Sequence, residues 1–194
     1  VAQLECKIHE VIVTTLNEQG QAHSAPMGVT QRDGHILIKP FKPSASYNNL
    51  KQHRQCTINY IDDVRVFSGA LTGRRDWPTL PCQQIEGEYL SNALAHTELE
   101  IIAFDDDDPR ACFTGSVICD VQHAPFRGFN RAQAAVIEAA VLVSRLNMLS
   151  AQKIQQEIAY LSIAIEKTAG PRELEAWGWL ISKIEETGIE LDHV

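Results

Sequence analysis

The sequence predicts an α+β fold: a strand-built body to residue 126, then a helical part over residues 127–194. Short β-branched runs broken by turn signals fill the first part, and long segments with helical apolar spacing fill the last. The character changes only once along the chain.

Ile8–Leu16 is rich in β-branched residues and stops at the turn cluster Asn17-Glu18-Gln19-Gly20. Gln21–Thr30 follows, and the Asp33-Gly34 pair is a hairpin signal before His35–Lys39. Three antiparallel strands in a meander are expected here. A short helix fits Ser44–Arg54, and Cys56–Tyr60 and Arg65–Leu71 read as further strands. Gly73, Pro78 and Pro81 make Thr72–Gly87 a long loop. Strand character returns over Glu88–Phe104, turns at Asp105–Pro109 and comes back over Ala111–Gln122. Eight or so short strands predict a small antiparallel barrel or a sandwich. Asn130–Leu149, Ala151–Thr168 and Pro171–Thr187 read as helices. The middle one carries Ile154, Ile158, Leu161 and Ile165 as one stripe, and the last opens on Gly170-Pro171.

The chain has 194 residues, 44% hydrophobic and 22% charged, as an ordinary folded domain has. A net charge of −8 argues against nucleic acid or an anionic membrane as partner. No apolar run approaches the roughly twenty residues of a membrane span. Val1-Ala2-Gln3-Leu4-Glu5 lacks the features of a signal peptide, and a cytoplasmic location is expected. The five cysteines, Cys6, Cys56, Cys82, Cys112 and Cys119, show no C-x-x-C spacing and read as reduced thiols. No H-x-H or H-x-x-x-H pair occurs among seven histidines, so no metal site is expected. P-loop, G-x-S-x-G and G-x-G-x-x-G motifs are absent too.

Most chemistry per residue lies between Lys39 and Leu50. Ser44 and Ser46 stand where a helix should start, and Lys39 and Lys42 come just before it. A helix N-terminus with free N–H groups and adjacent cations attracts phosphate. The bland alternative is a capped helix with solvated lysines. Phe41 and Tyr47 are placed to cover an aromatic ring beside such a phosphate. The preceding run Ala25-Pro26-Met27-Gly28-Val29 lets a flat ligand approach the backbone, or else marks a bulge or edge. Residues 1–60 carry a net +2, whereas residues 86–108 hold eight carboxylates and no Lys or Arg.

In order and spacing, Glu10–Thr15, Ala25–Val29, Phe41-x-x-Ser44-x-Ser46-Tyr47-x-Asn49-Leu50 and Asn59-Tyr60-x-Asp62-Asp63 resemble the FMN-binding split-barrel superfamily. That superfamily includes flavin reductases and pyridoxamine-phosphate-oxidase-like proteins. Within it the chain is similar to a domain-of-unknown-function branch of methanogenic archaea and C1-metabolising bacteria, a likeness shared by Phe129-Asn130-Arg131-Ala132, Glu138 and Ser144-Arg145-Leu146. The resemblance implies an antiparallel split β-barrel over residues 1–126 with a C-terminal helical part, and a homodimer binding FMN near the subunit interface. It implies phosphate at Lys39, Ser44 and Ser46, with Tyr47 and Phe41 nearby. The isoalloxazine would lie along Ala25, Pro26, Met27 and Gly28, with Asn59 as hydrogen-bond partner. Hydride transfer through flavin N5 to or from an unnamed small-molecule substrate is the implied activity. A non-catalytic flavin- or pterin-binding module linked to C1 metabolism is the alternative.

Arg131, Glu138 and Arg145 recur every seven residues on one helix face. An ion-pair network between protomers explains them; the functional reading sends Arg131 or Arg127 to the flavin phosphate or substrate of a neighbouring subunit. Asp105–Asp108 lacks the Gly and distal Glu of a calcium loop and reads as a solvated turn. Asp62 and Asp63 fit a turn, Trp77 a loop or lid, and Met27 and Met148 fit packing.

Overall fold

Strand β1 (Ile8–Leu16) pairs with β2 (Ala22–Arg32), which turns at Asp33-Gly34 into β3 (His35–Ile38). Both turn residues take positive φ, 51° and 78°, which suits Asp followed by Gly. The structure, a computed structural model, describes residues 7–191; Cys6 and Val1–Glu5 lie outside them. After helix α1 (Ala45–His53), strand β4 (Gln55–Tyr60) returns to β1, placing Ile12 opposite Asn59. The long strands β7 (Ala95–Asp105) and β8 (Cys112–Gln122) complete a closed antiparallel barrel in the order β1-β2-β3-β8-β7-β4.

Alternation along each strand sends Val11, Val13, Val29, Ile36, Ile38, Ile58, Leu99, Ile101 and Phe113 inside, where they meet Leu50 of α1. The neighbours pointing the other way on β1, β4 and β7 are buried as well: Ile12, Thr14, Thr57, Asn59, His96 and Glu98. A strap over this outer wall is the cause. Within Thr72–Gly87, expected to be loop, lies β5 (Thr79–Pro81), which pairs with β6 (Glu88–Leu90). Thr57 Oγ1 donates to the Glu88 carbonyl at 2.7 Å, and Leu90 N–H donates to Asn59 Oδ1 at 2.7 Å. The barrel thus has a wet-chemistry wall sealed by backbone hydrogen bonds, satisfied as buried polar groups must be.

Two compact units divide the chain: residues up to Ile61 with Trp77–Phe126, and Asp62–Asp76 with residues from Arg127 onward. In the second, Arg65–Leu71 is helix α2 rather than the expected strand. Val66 and Phe67 are residues that strands favour, but packing overrides propensity. Asp63 Oδ1 accepts from Arg65 N–H at 3.2 Å, and Ser68 Oγ donates to the Ala176 carbonyl at 2.8 Å. Burial pushes the Asp63 carboxyl up, yet the Arg65 hydrogen bonds outweigh it and hold it below the usual carboxylate range.

Helices α3 (Arg131–Val143), α4 (Ala151–Thr168) and α5 (Pro171–Glu185) complete this unit. The expected helix to Leu149 ends at Val143, and turns follow. Asn130 caps α3 by accepting from Ala132 and Gln133 N–H at 2.8 and 3.2 Å. Ala132, Ala135, Ala139 and Ala140 give α3 a narrow buried face for Ile154, Ile158, Trp177, Leu180 and Ile184. Leu161 of the expected α4 stripe is only half-buried. Leu180→Ala, at a fully buried site, is expected to cost about 3 kcal/mol, measured by urea unfolding. No helix among the described residues is long and apolar enough to cross a membrane.

Candidate functional site

Pro40 is buried where β3 leaves the barrel, and Phe41 forms a β-bridge with Arg110. This bridge sets the start of α1 beside the β7–β8 turn. Ser44 is the N-cap, extended at φ −152° and ψ 160°, and its Oγ accepts from Tyr47 N–H at 3.2 Å. The first N–H groups of α1, at Ala45 and Ser46, then have no intrahelical partner. They form the positive end of the helix dipole. Lys39 is exposed and has no ion pair among the described residues. A capped helix N-terminus with free donors, preceded in the chain by an exposed lysine, has the chemistry a phosphate dianion calls for.

The other groups expected at the phosphate are spoken for. Lys42 Nζ donates to Asp106 Oδ1 at 2.7 Å, reaches Asp108 Oδ1 at 2.8 Å and also bonds the carbonyls of Asp106 and Asp107. Tyr47 donates its phenol proton to Asp106 Oδ1 at 2.9 Å, and Lys51 donates to the phenol oxygen at 3.3 Å. The hydrogen bond from Lys42, then that from Tyr47, holds the Asp106 carboxyl below the usual carboxylate range; the bonds of Lys42 to Asp106 and then Asp108 raise the lysine. Asp105–Asp108 is therefore not simply a solvated turn: Asp106 gathers the cations that flank α1. Ser46 is buried at 2% exposure, so within this chain Ser44 is the more open hydroxyl.

On β2, Ala25, Pro26, Met27 and Gly28 are half-buried. Met27 packs on the barrel core. A Cβ at Gly28 would come within 2.8 Å of Ile8 Cγ2, so this glycine makes room for β1 rather than for a ligand. Asn59 is buried and fully bonded: its amide donates to the Ile12 carbonyl and Thr14 Oγ1, both at 3.0 Å, and its oxygen accepts from Leu90. It braces the wall. Phe41 is 57% exposed, with the Arg110 guanidinium 3.7 Å from its ring centroid. Arg131, Glu138 and Arg145 are exposed on or just beyond α3, in the helical unit.

Arg110 and Asp106 carry no local motif, and sequence reasoning missed them because only the barrel's closure brings the β7–β8 turn to α1. It also missed a cluster on the strapped wall. Glu98 accepts from Gln83, Gln84 and Ile85 N–H at 2.7, 2.7 and 3.1 Å and lies 3.2 Å from His96 Nε2. The spacing His96-x-Glu98 on a strand, which puts both side chains on one face, was the available signal. No group of three metal-ligating side chains occurs among the described residues.

Two family models match: Protein of unknown function (DUF447) N-terminal domain over residues 9–124, and Protein of unknown function (DUF447) over 130–182. Among solved structures, the FMN-bound DUF447 protein MM1853 from Methanosarcina mazei aligns at TM-score 0.78 and 19% identity, over 91% of this chain and 94% of that one. Component B of nitrilotriacetate monooxygenase from Mycobacterium thermoresistibile aligns at TM-score 0.51 and 19% identity, covering 62% and 72%. The NADH:FAD oxidoreductase SgcE6 of Streptomyces globisporus, in complex with NAD and FAD fragments, aligns at 0.51 and 13%, covering 60% and 75%. These likenesses establish the fold, the expected split barrel with a helical C-terminal part.

Proposed function

The chain belongs to the DUF447 family, and from that premise we propose that it binds FMN and acts as a flavin-dependent oxidoreductase. The observation that carries this reading is the N-terminus of α1 at Ser44, with the N–H groups of its first turn, and Lys39 five residues before it, which has no ion pair among the described residues. The description of the family member from Methanosarcina mazei as FMN-bound supports the same ligand.

Lys39, Ser44 and the backbone of Ala45 and Ser46 would hold the phosphate. Phe41, backed by Arg110, would cover the ligand's edge, and Ala25–Met27 would line the ring. Asn59 keeps the strapped wall of β1, β4 and β7 in register by bonding β1 and β6. Arg131 of a second copy would complete the phosphate site, in a cytoplasmic homodimer acting on a small-molecule substrate. When bound, FMN supplies hydride transfer at N5, so no side-chain nucleophile is required. The chain's own part is binding, orientation and exclusion of water.

The test is an absorption spectrum of the purified protein, FMN titration, then anaerobic addition of NADH or NADPH. Saturable binding with a perturbed flavin band, followed by bleaching, is the expected result. Binding without bleaching by either donor would reduce the reading to a flavin-binding module. No binding would overturn it.

A further inference from the structure

On the strapped wall of the barrel, three ionisable side chains stand in line. Glu98 and His96 are fully buried on β7, and His123, just past β8, is exposed. His96 Nδ1 lies 2.8 Å from His123 Nε2, and His96 Nε2 lies 3.2 Å from Glu98 Oε1. The two imidazoles are close to parallel, at 15°, and Tyr89 of β6 stacks on both, with centroids 4.0 and 5.0 Å away.

The partners fix every proton. Glu98 receives three backbone N–H bonds, so it is an acceptor, a carboxylate. His96 must then donate through Nε2, leaving Nδ1 with its lone pair. His123 must donate through Nε2 to that lone pair, leaving its own Nδ1 as a free base with no hydrogen bond among the described residues. Three groups thus present one basic nitrogen to the outside, backed by a buried anion.

We propose that His123, His96 and Glu98 form a proton relay, a general-base site for a substrate whose hydroxyl or bound water must be deprotonated. The substrate O–H bond breaks and its proton joins His123 Nδ1, while the electron pair stays on oxygen. The Nε2 proton of His123 passes to His96 Nδ1. His96 becomes an imidazolium between Glu98 and a neutral His123, where the carboxylate stabilises it. No oxidant or reductant is involved, and the site does not depend on flavin binding. Burial and the neighbouring His96 lower His123, which keeps it a free base at neutral pH. The other titratable groups facing the line among the described residues include Tyr89 on β6, Cys119 opposite Glu98 on β8, and Cys82 on the strap; burial, then Glu98, pushes the Cys82 thiol up to about 12, so it stays protonated.

The test is the NMR spectrum of the full chain, labelled with ¹⁵N-histidine, near neutral pH. Both rings are expected as Nε2–H tautomers. Protein-dependent release of 4-nitrophenolate from 4-nitrophenyl acetate is the second readout. It should fall about tenfold in His123→Phe and His96→Phe. An Nδ1–H tautomer at either ring would overturn the relay, and the wild-type spectrum alone decides this. An ester rate unchanged in His123→Phe would overturn the general-base role.

Discussion

Glu98→Ala is expected to destabilise the barrel unit by about 3–5 kcal/mol, the typical loss when one member of a buried charged network is removed. The side chain is fully buried and accepts from three consecutive strap amides, Gln83, Gln84 and Ile85. Alanine leaves those donors and His96 without their shared acceptor, and His96 is buried where water reaches poorly. Urea unfolding measures the loss, and hydrogen exchange locates it: the amides of 83–85 should lose protection before those of the barrel strands. Glu98→Gln keeps one carbonyl acceptor and should cost less. Acid has a related effect. Burial raises the Glu98 carboxyl, but the Gln83 and Gln84 N–H groups, then His96 and Ile85, outweigh it and hold it below the usual carboxylate range. A depressed carboxyl stabilises the fold above its unfolded value, and the stabilisation is lost as pH falls through the folded value. His123, lowered by burial, acts in the same direction between its folded value and the ordinary histidine range. Wild-type stability should therefore fall on acidification, and Glu98→Ala should show a shallower fall.

Much of the barrel was legible because its signals are local. Asn17–Gly20 and Asp33-Gly34 announce hairpins, and the Ser44 cap and Pro171 announce helix starts. The failures share a cause, which is packing that only distant chain can supply. Val66 and Phe67 favour strand until the Ala176 segment covers Ser68, and Thr79–Pro81 becomes a strand only because Glu88–Leu90 lies beside it. At the corner, sequence proximity gave Lys39 and Lys42 equal standing. Closure of the sheet separates them, because β7 and β8 deliver Asp106 to one lysine and not the other. Alternation also misleads on the β1–β4–β7 wall, where both faces are buried and the outward one is polar. A pattern of inside and outside residues does not distinguish solvent from a strap.

Lys39→Glu is expected to weaken FMN binding about tenfold to a hundredfold, whereas Lys42→Gln should change it less than about threefold. The contrast follows from electrostatic neutrality. Lys42 already answers the carboxylates of Asp106 and Asp108, so a phosphate near it would meet little net positive charge. Lys39 has no such partner among the described residues, and it precedes the N-cap of α1 by five residues. Replacing it with Glu removes a charge-assisted hydrogen bond and sets an anion against an anion. Ser44→Ala should cost about 1 kcal/mol of stability through the lost cap, with a smaller effect on affinity than Lys39→Glu because the backbone donors remain. Fluorescence titration with FMN at two salt concentrations measures both quantities needed. Lys39→Glu should also flatten the salt dependence, since the exposed cation is the screened one. Equal losses at Lys39 and Lys42 would mean that phosphate displaces Asp106 from Lys42, and then Asp106→Asn should tighten binding. Unequal losses place the anion at Lys39, with the acidic turn acting as the brace that holds Tyr47 and Lys42 on the flank of α1.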